Sequence, residues 1–336
     1  LVQTLATEEW REESSRIYAG YTIYHQGGGD EQRVFGTGPE AEGMRRSERL
    51  VGALAKATEL PEKGRLLDVG CGNGSFLKAW SARFPGWTLA GTEVGGQHRK
   101  EIEAIPGCER LYTGELSTVP GQFDMICLVH VLEHVAGPLE FLRSLWAKLR
   151  PGGRLLVEVP DCGQNPYMLT VADHCSHFSP GLLAGLVAAS GFTVEVSTNT
   201  WVTKEVSVLA RQSGTTAGTG FPRLPALEAS SVLGGLGTLE RVRDKARAWR
   251  GHANVGIFGT AIAATWLDAE MDAEADFFVD EDVSRVGRQH LGRPVVAPSG
   301  VPEGGIVLVA LPAVLAEPVA GRLRATDRGL EVVVLS

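Results

Sequence analysis

The chain has little cysteine. Its five residues (Cys71, Cys108, Cys127, Cys162 and Cys175) are odd in number and include no Cys-x-x-Cys pair. That fits reduced thiols better than a disulfide framework. Long apolar runs are missing too, since none approaches the roughly 18 residues that span a bilayer. Residues 1–20 carry Glu8, Glu9, Arg11, Glu12 and Glu13 where a signal peptide would be apolar. No membrane role is expected, and the location implied is cytoplasmic. Positive charge is also short: 32 Lys and Arg stand against 40 Asp and Glu, a formal net charge of -8, with no basic stripe. Nucleic acid is therefore not an expected partner.

Hydrophobic residues at 43% and charged residues at 21% of 336 suit a globular enzyme of about two domains. Residues 1–60 read as a helical N-terminal cap, with helices over 4–18 and 44–58 and a glycine-rich loop at 26–30 that Tyr18, Tyr21, Tyr24 and His25 precede. Residues 61–212 alternate strand and helix, the pattern of a doubly wound parallel sheet. Strands are expected at 65–69, 88–93, 110–112, 123–129, 154–159, 193–198 and 205–210, and helices at 75–83, 96–105, 138–149 and 180–190. A Ser/Gly/Thr-rich stretch at 213–220 reads as a linker, which with the following helix fills 213–250. A second, smaller α/β pattern occupies 251–336.

The most informative stretch is Leu66-Leu67-Asp68-Val69-Gly70-Cys71-Gly72-Asn73-Gly74-Ser75. A buried strand runs into three glycines at alternate positions and then a helix, so the backbone can turn tightly and press its amides against a ligand at a helix N-terminus. Glu93, 19 positions beyond Gly74, ends the second strand. An acid about 20 residues past such a turn can accept hydrogen bonds from both ribose hydroxyls of a nucleoside. Val129 and His130 lie at the carboxyl end of the fourth expected strand, where ligands bind in such sheets.

Gly-x-Gly-x-Gly led by Asp68 resembles the first motif of the class I S-adenosylmethionine (SAM) methyltransferases. The likeness continues through Glu93, through Gly114-Glu115-Leu116, and through Phe123-Asp124-Met125-Ile126-Cys127-Leu128-Val129-His130-Val131-Leu132-Glu133-His134-Val135. It ends in Leu149-Arg150-Pro151-Gly152-Gly153. The resemblance implies a seven-stranded Rossmann-like fold and SAM as cofactor, with S-adenosylhomocysteine as product. It also implies a cofactor set of Asp68, Gly70, Cys71, Gly72, Gly74, Glu93, Val94, Glu115, Leu116, Val129 and His130. Glu115 would lie near the adenine amino group and Leu116 against its ring.

Past the fifth strand, Asp173-His174-Cys175-Ser176-His177-Phe178-Ser179 resembles the Glu-His-Leu-Ser-Tyr-Phe-Ser segment of sugar C-methyltransferases that act on nucleotide-linked keto-sugars. In that family the histidine is associated with removing the proton next to the ketone. The implied catalytic set is His174, His177 and Asp173. Two family features are absent: the Tyr-His pair before the Glu is Val171-Ala172 here, and the N-terminal zinc-binding cysteines are missing. His174, Cys175 and His177 fall short of the four ligands of a structural zinc site, so no metal is expected. Further on, Val255-Gly256-Ile257-Phe258-Gly259-Thr260-Ala261, Val279-Asp280-Glu281-Asp282 and Leu291-Gly292-Arg293-Pro294-Val295 resemble the C-terminal Rossmann-like domain of the same enzymes. There the resemblance puts Gly259, Thr260 and Asp282 near the remote end of a small-molecule acceptor.

C-methylation next to a carbonyl is the implied reaction, with His174 as base. O- or N-transfer to a small metabolite is the alternative. A reading from another class also stays open, because Gly256-x-x-Gly259 with Asp280 21 positions beyond suits an NAD(P)-dependent oxidoreductase or dehydratase, or a nucleotide-binding protein without turnover.

Overall fold

The structure is a computed structural model that describes residues 2–3, 7–20, 44–212, 228–326 and 328–336. The glycine-rich loop at 26–30, Tyr21, Tyr24, His25, the side chain of Tyr18 and the linker at 213–220 lie outside the described residues. Two compact units emerge. The first holds the described residues up to Asp161 and those from Asp173 to Gln212. The second holds Cys162–Ala172 and the residues from Ala229 onward. Residues 162–172, inside the span assigned on sequence to the cofactor domain, thus group with the second unit.

In the first unit the chain forms β1 (Val2–Gln3), α1 (Glu8–Gly20), α2 (Arg46–Ala57), β2 (Arg65–Val69), α3 (Ser75–Arg83), β3 (Thr88–Glu93), α4 (Arg99–Glu103) and β4 (Cys108–Thr113). It continues with β5 (Phe123–Val129), α5 (Pro138–Trp146), β6 (Leu149–Pro160), β7 (Ser176–His177), α6 (Pro180–Ala189), β8 (Phe192–Thr198) and β9 (Glu205–Gln212). Seven strands make one sheet in the order β4-β3-β2-β5-β6-β9-β8, and β1 pairs separately with β7. The first five strands of that order run parallel, while β9 is antiparallel to both β6 and β8. The wholly parallel sheet expected from sequence is corrected at β9. Only residues 199–204 join β8 to β9, too few for a parallel crossover, so the pair closes antiparallel.

Period-2 alternation sends side chains of the central strands to opposite faces. Leu67, Ile126, Leu128, Leu155 and Val157 pack with Leu139, Leu142, Leu182 and Leu183 of α5 and α6. Leu66, Met125, Cys127 and Leu156 pack on the other face with Leu50 and Leu54 of α2 and Leu77 and Trp80 of α3. Both faces are covered, which is why these strands read as nearly continuous apolar runs. Helix starts follow local chemistry. Ser179 Oγ accepts the N–H of Leu182 at 3.4 Å ahead of Pro180, and α3 begins after Gly74, whose φ of 80° a side chain would resist. α4 is shorter than the expected 96–105, because Gly95-Gly96 precede it and Pro106 follows it closely.

The second unit carries α7 (Glu228–Arg247), β10 (Val255–Phe258), α8 (Ile262–Glu270), β11 (Phe277–Val279), β12 (Gln289–His290), β13 (Arg293–Val296), β14 (Ile306–Val309), α9 (Ala313–Arg324) and β15 (Glu331–Val334). Its six-stranded sheet has the order β12-β13-β11-β10-β14-β15, parallel except for β12. Sequence reasoning missed β12 and β13, since Pro294 breaks the strand signal. Gly256 in β10 has no room for a side chain: a Cβ there would lie 2.1 Å from Cε2 of Phe277. Gly256→Ala should cost about 1–3 kcal/mol of stability through overpacking. Thermal denaturation of the variant would read this as a lowered transition, and an unchanged melt would contradict the packing described. Among the described residues no helix is long and apolar enough to cross a membrane.

Candidate active site

The first sheet runs outward from β2 through β3 to β4 and then returns to β5, so its order reverses between β2 and β5. Open α/β sheets bind ligands at the carboxyl ends of the strands beside such a reversal. The glycine turn after β2 and the residues after β5 meet there. Gly70, Gly72 and Gly74 all have positive φ, of 70°, 57° and 80°. A Cβ on Gly70 would sit 2.6 Å from Cγ2 of Val131, so the turn lies directly against the chain leaving β5.

Side chains from β3 hold this turn. Gly72 N–H donates to Glu93 Oε2 at 2.8 Å, Val94 N–H to Glu93 Oε1 at 2.9 Å, and Gly70 N–H to Thr92 Oγ1 at 3.3 Å. Each carboxylate oxygen has a second lone pair, so Glu93 can still accept from two hydroxyls. Asp68 is 1% exposed and its Oδ2 has no hydrogen-bond partner. Burial, reinforced by Glu93, pushes its carboxyl well above the usual carboxylate range. A donor cation placed beside Asp68 would restore its charge. Cys71 is buried, with its N–H donating to Thr92 O at 2.9 Å, and its Sγ would meet a Cβ on Gly91 at 2.5 Å. Val94 is 81% exposed at the rim. Glu115 is exposed and accepts from Ser117 Oγ, while the half-buried Leu116 packs against the core.

Val129 is half-buried, and His130 takes a φ of 56°, rare for a residue with a side chain. His130 Nδ1 lies 3.2 Å from Glu133 Oε1, and its Nε2 lies 3.3 Å from Glu205 Oε2 and 2.9 Å from Arg46 Nη1. Behind it Glu158 is fully buried and accepts from Ser207 Oγ at 3.0 Å. Burial and the neighbouring Glu205 push the Glu158 carboxyl up to about 7.

Beside this group sits a second one. His134 Nδ1 lies 3.1 Å from Asp173 Oδ2 and 3.2 Å from the Asp173 carbonyl oxygen. The His134 and His174 rings meet edge to face, 4.7 Å between centroids. His174 is 8% exposed. Burial, and then the neighbouring histidines, bring its imidazole down to about 4 against the pull of Glu133 and Asp173. It is therefore neutral near pH 7. The structure thus brings Asp173 and His174 together with Glu133 and His134. His177 stands on β7 paired with Val2 of β1, and no hydrogen bond or ion pair joins it to the group among the described residues. Sequence reasoning missed Arg46, Glu158 and Glu205 altogether. The available signal was an acidic residue at the end of each of two apolar strands.

The methyltransferase-domain family model matches residues 43–196. Residues 43–196 are a class I SAM-dependent methyltransferase domain. A tRNA U34 carboxymethyltransferase of Desulfotalea psychrophila is 34% identical over 147 residues, 40% of this chain and 44% of that protein. A ubiquinone biosynthesis O-methyltransferase of Aeromonas salmonicida is 27% identical over 152 residues, 39% of this chain and 63% of that protein. The chain spans about half the length of the curated relatives it matches. The solved structure of CalO1, a methyltransferase in calicheamicin biosynthesis bound to S-adenosylhomocysteine, has a TM-score of 0.41 at 21% identity, covering 50% of this chain and 54% of that one.

The methyltransferase domain's own residues fit the cofactor's chemistry. SAM offers an ammonium group, for which the unpartnered Asp68 oxygen is a suitable acceptor, and two ribose hydroxyls, for which Glu93 is. The N–H groups of Gly70, Cys71, Gly72 and Gly74 are taken within the protein, by Thr92, Glu93 and the Cys71 carbonyl oxygen, so the amides that the sequence reading aims at a ligand serve to hold the turn.

Proposed function

We propose that this chain is a SAM-dependent methyltransferase of small molecules that methylates carbon next to a carbonyl, with a nucleotide-linked keto-sugar as the acceptor class. In this reading Asp68, Gly70, Cys71, Gly72 and Gly74 hold the methionine end of SAM and Glu93 the ribose. Val94, Glu115 and Leu116 flank the adenosine, and Val129 and His130 line the side facing the acceptor. The observation that carries the reading is the buried, neutral His174 beside Asp173 and His134. A sulfonium supplies its own electrophile, so the protein must align the acceptor, exclude water and remove a proton. A neutral imidazole has the lone pair for that last task. We take the six-stranded unit, with its parallel strands and intervening helices, for the second domain that the sugar C-methyltransferases carry, and α1 and α2 for a helical lid.

A second reading, O-transfer to a small metabolite, has support from the O-methyltransferase relative. The His134–Asp173 pair would then activate a hydroxyl. A tRNA acceptor, which the name of the carboxymethyltransferase relative suggests, is disfavoured by the net charge of -8, since binding to phosphates rests on cationic side chains. Calorimetric titration with SAM and with NAD separates these readings from the oxidoreductase one. Saturable SAM binding without NAD binding is the expected result, and NAD binding with no response to SAM would contradict it.

A further inference from the structure

We propose that Lys204, Arg46 and Arg49 form an anion subsite at the carboxyl edge of the first sheet, which receives a phosphate group of the acceptor. In naming the acceptor, the inference rests on the function proposed above. Glu205 opens β9 opposite Pro160, the last residue of β6, so Lys204 stands just past the edge on which His130 also lies. Arg46 and Arg49 are three positions apart on α2 and share a face of it. Both reach toward that edge. Arg46 Nη1 lies 2.9 Å from His130 Nε2, and Arg49 Nε donates at 2.7 Å to the carbonyl oxygen of Trp201, within the 199–204 turn that ends in Lys204.

Two observations point to a ligand. Arg49 Nη1 is buried with no hydrogen-bond partner, an unmade bond that a bound anion would supply. Second, among the described residues neither Arg49 nor Lys204 is ion-paired, whereas Arg65, Arg99, Arg150, Arg154 and Arg211 of the same unit each meet a carboxylate. Burial, and the Arg46 charge with it, push the Lys204 ammonium down against the pull of Glu205. Glu205 itself turns Oε2 to His130 Nε2 at 3.3 Å. Cations gathered without carboxylates of their own favour a phosphate or a carboxylate between them. The SAM carboxylate is one such group, but β9 is the third neighbour of β2 in the sheet. At about 4.8 Å per strand, Lys204 lies roughly 14 Å from the glycine turn that takes the methionine end. A nucleotide-linked sugar, entering on the other side of His130, brings its diphosphate to this place.

The full chain is titrated calorimetrically with inorganic pyrophosphate, with UDP and, separately, with S-adenosylhomocysteine. Saturable binding of pyrophosphate and UDP that weakens with added salt is the expected result. Lys204 has a φ of 72°, so Lys204→Gly removes the ammonium while suiting the turn. It should weaken pyrophosphate binding about 10- to 100-fold, as should Arg49→Gln, with the affinity for S-adenosylhomocysteine unchanged. Lys204→Arg keeps the charge and should retain binding. Wild-type protein that does not bind pyrophosphate, or folded Lys204→Gly with the wild-type constant, would overturn the subsite. Weakened S-adenosylhomocysteine binding with pyrophosphate unaffected would also overturn it, by assigning these cations to the cofactor. Failure of the methyl-transfer reading is seen separately, as wild-type protein that binds pyrophosphate but not S-adenosylhomocysteine, and that result leaves the anion subsite standing.

Discussion

Replacing His174 with alanine should lower the rate of methyl transfer by about 10²- to 10⁴-fold, the usual contribution of a positioned base, with SAM affinity unchanged. The physical ground is the proton next to the carbonyl, which must leave before or as the methyl group arrives. His174 is buried and its imidazole is held down to about 4, so it meets the acceptor uncharged throughout the neutral range. Its weakness as a base in the free protein is set by burial, with Glu133 and Asp173 close enough to stabilise the imidazolium as it forms. Solvent deuterium exchange isolates this step. With S-adenosylhomocysteine in place of SAM no methyl can move, yet the wild type should still exchange the acceptor's α-proton, and His174→Ala should not. If the variant keeps near-normal turnover, the proton is taken elsewhere. His134, already oriented by Asp173 at 3.1 Å, is then the first alternative.

Glu93→Ala should weaken SAM binding by about 1.5–3 kcal/mol, the worth of hydrogen bonds to a charged acceptor. Two losses combine. The ribose hydroxyls lose their acceptor, and the Gly72 N–H, now 2.8 Å from Oε2, loses the group that holds the glycine turn in place. Glu93→Gln keeps one oxygen and should recover part of the affinity. Calorimetry on folded Glu93→Ala protein that shows the wild-type constant would remove Glu93 from the cofactor site.

Much of the first sheet was legible because its signals are local. β2, β3, β5 and α3 lie where the apolar runs and the glycine turn put them, since Leu66, Leu67 and Val69 are bounded by charge before and Gly70 after. The glycine turn and Glu93 were equally readable, one as a backbone requirement and the other as a spacing. What escaped depends on register between distant segments. Nothing near Glu205 announces that β9 will pair antiparallel with β6 and bring it beside His130, 75 positions earlier. Likewise His174 reads alone as a member of its own short motif, and only the folded chain sets it against Glu133 and His134. The reach of Arg46 to His130 is a tertiary contact with no local trace.

The proposed reaction passes a methyl group from SAM to a carbon next to a carbonyl. The most direct measurement supplies SAM labelled with ¹³C in its methyl group, together with a panel of nucleotide-linked keto-sugars and small phenols, and locates the label by NMR. The expected result is release of S-adenosylhomocysteine with the labelled methyl bonded to the carbon beside the ketone. A label found on oxygen or nitrogen would contradict it, as would release of S-adenosylhomocysteine with phenols alone.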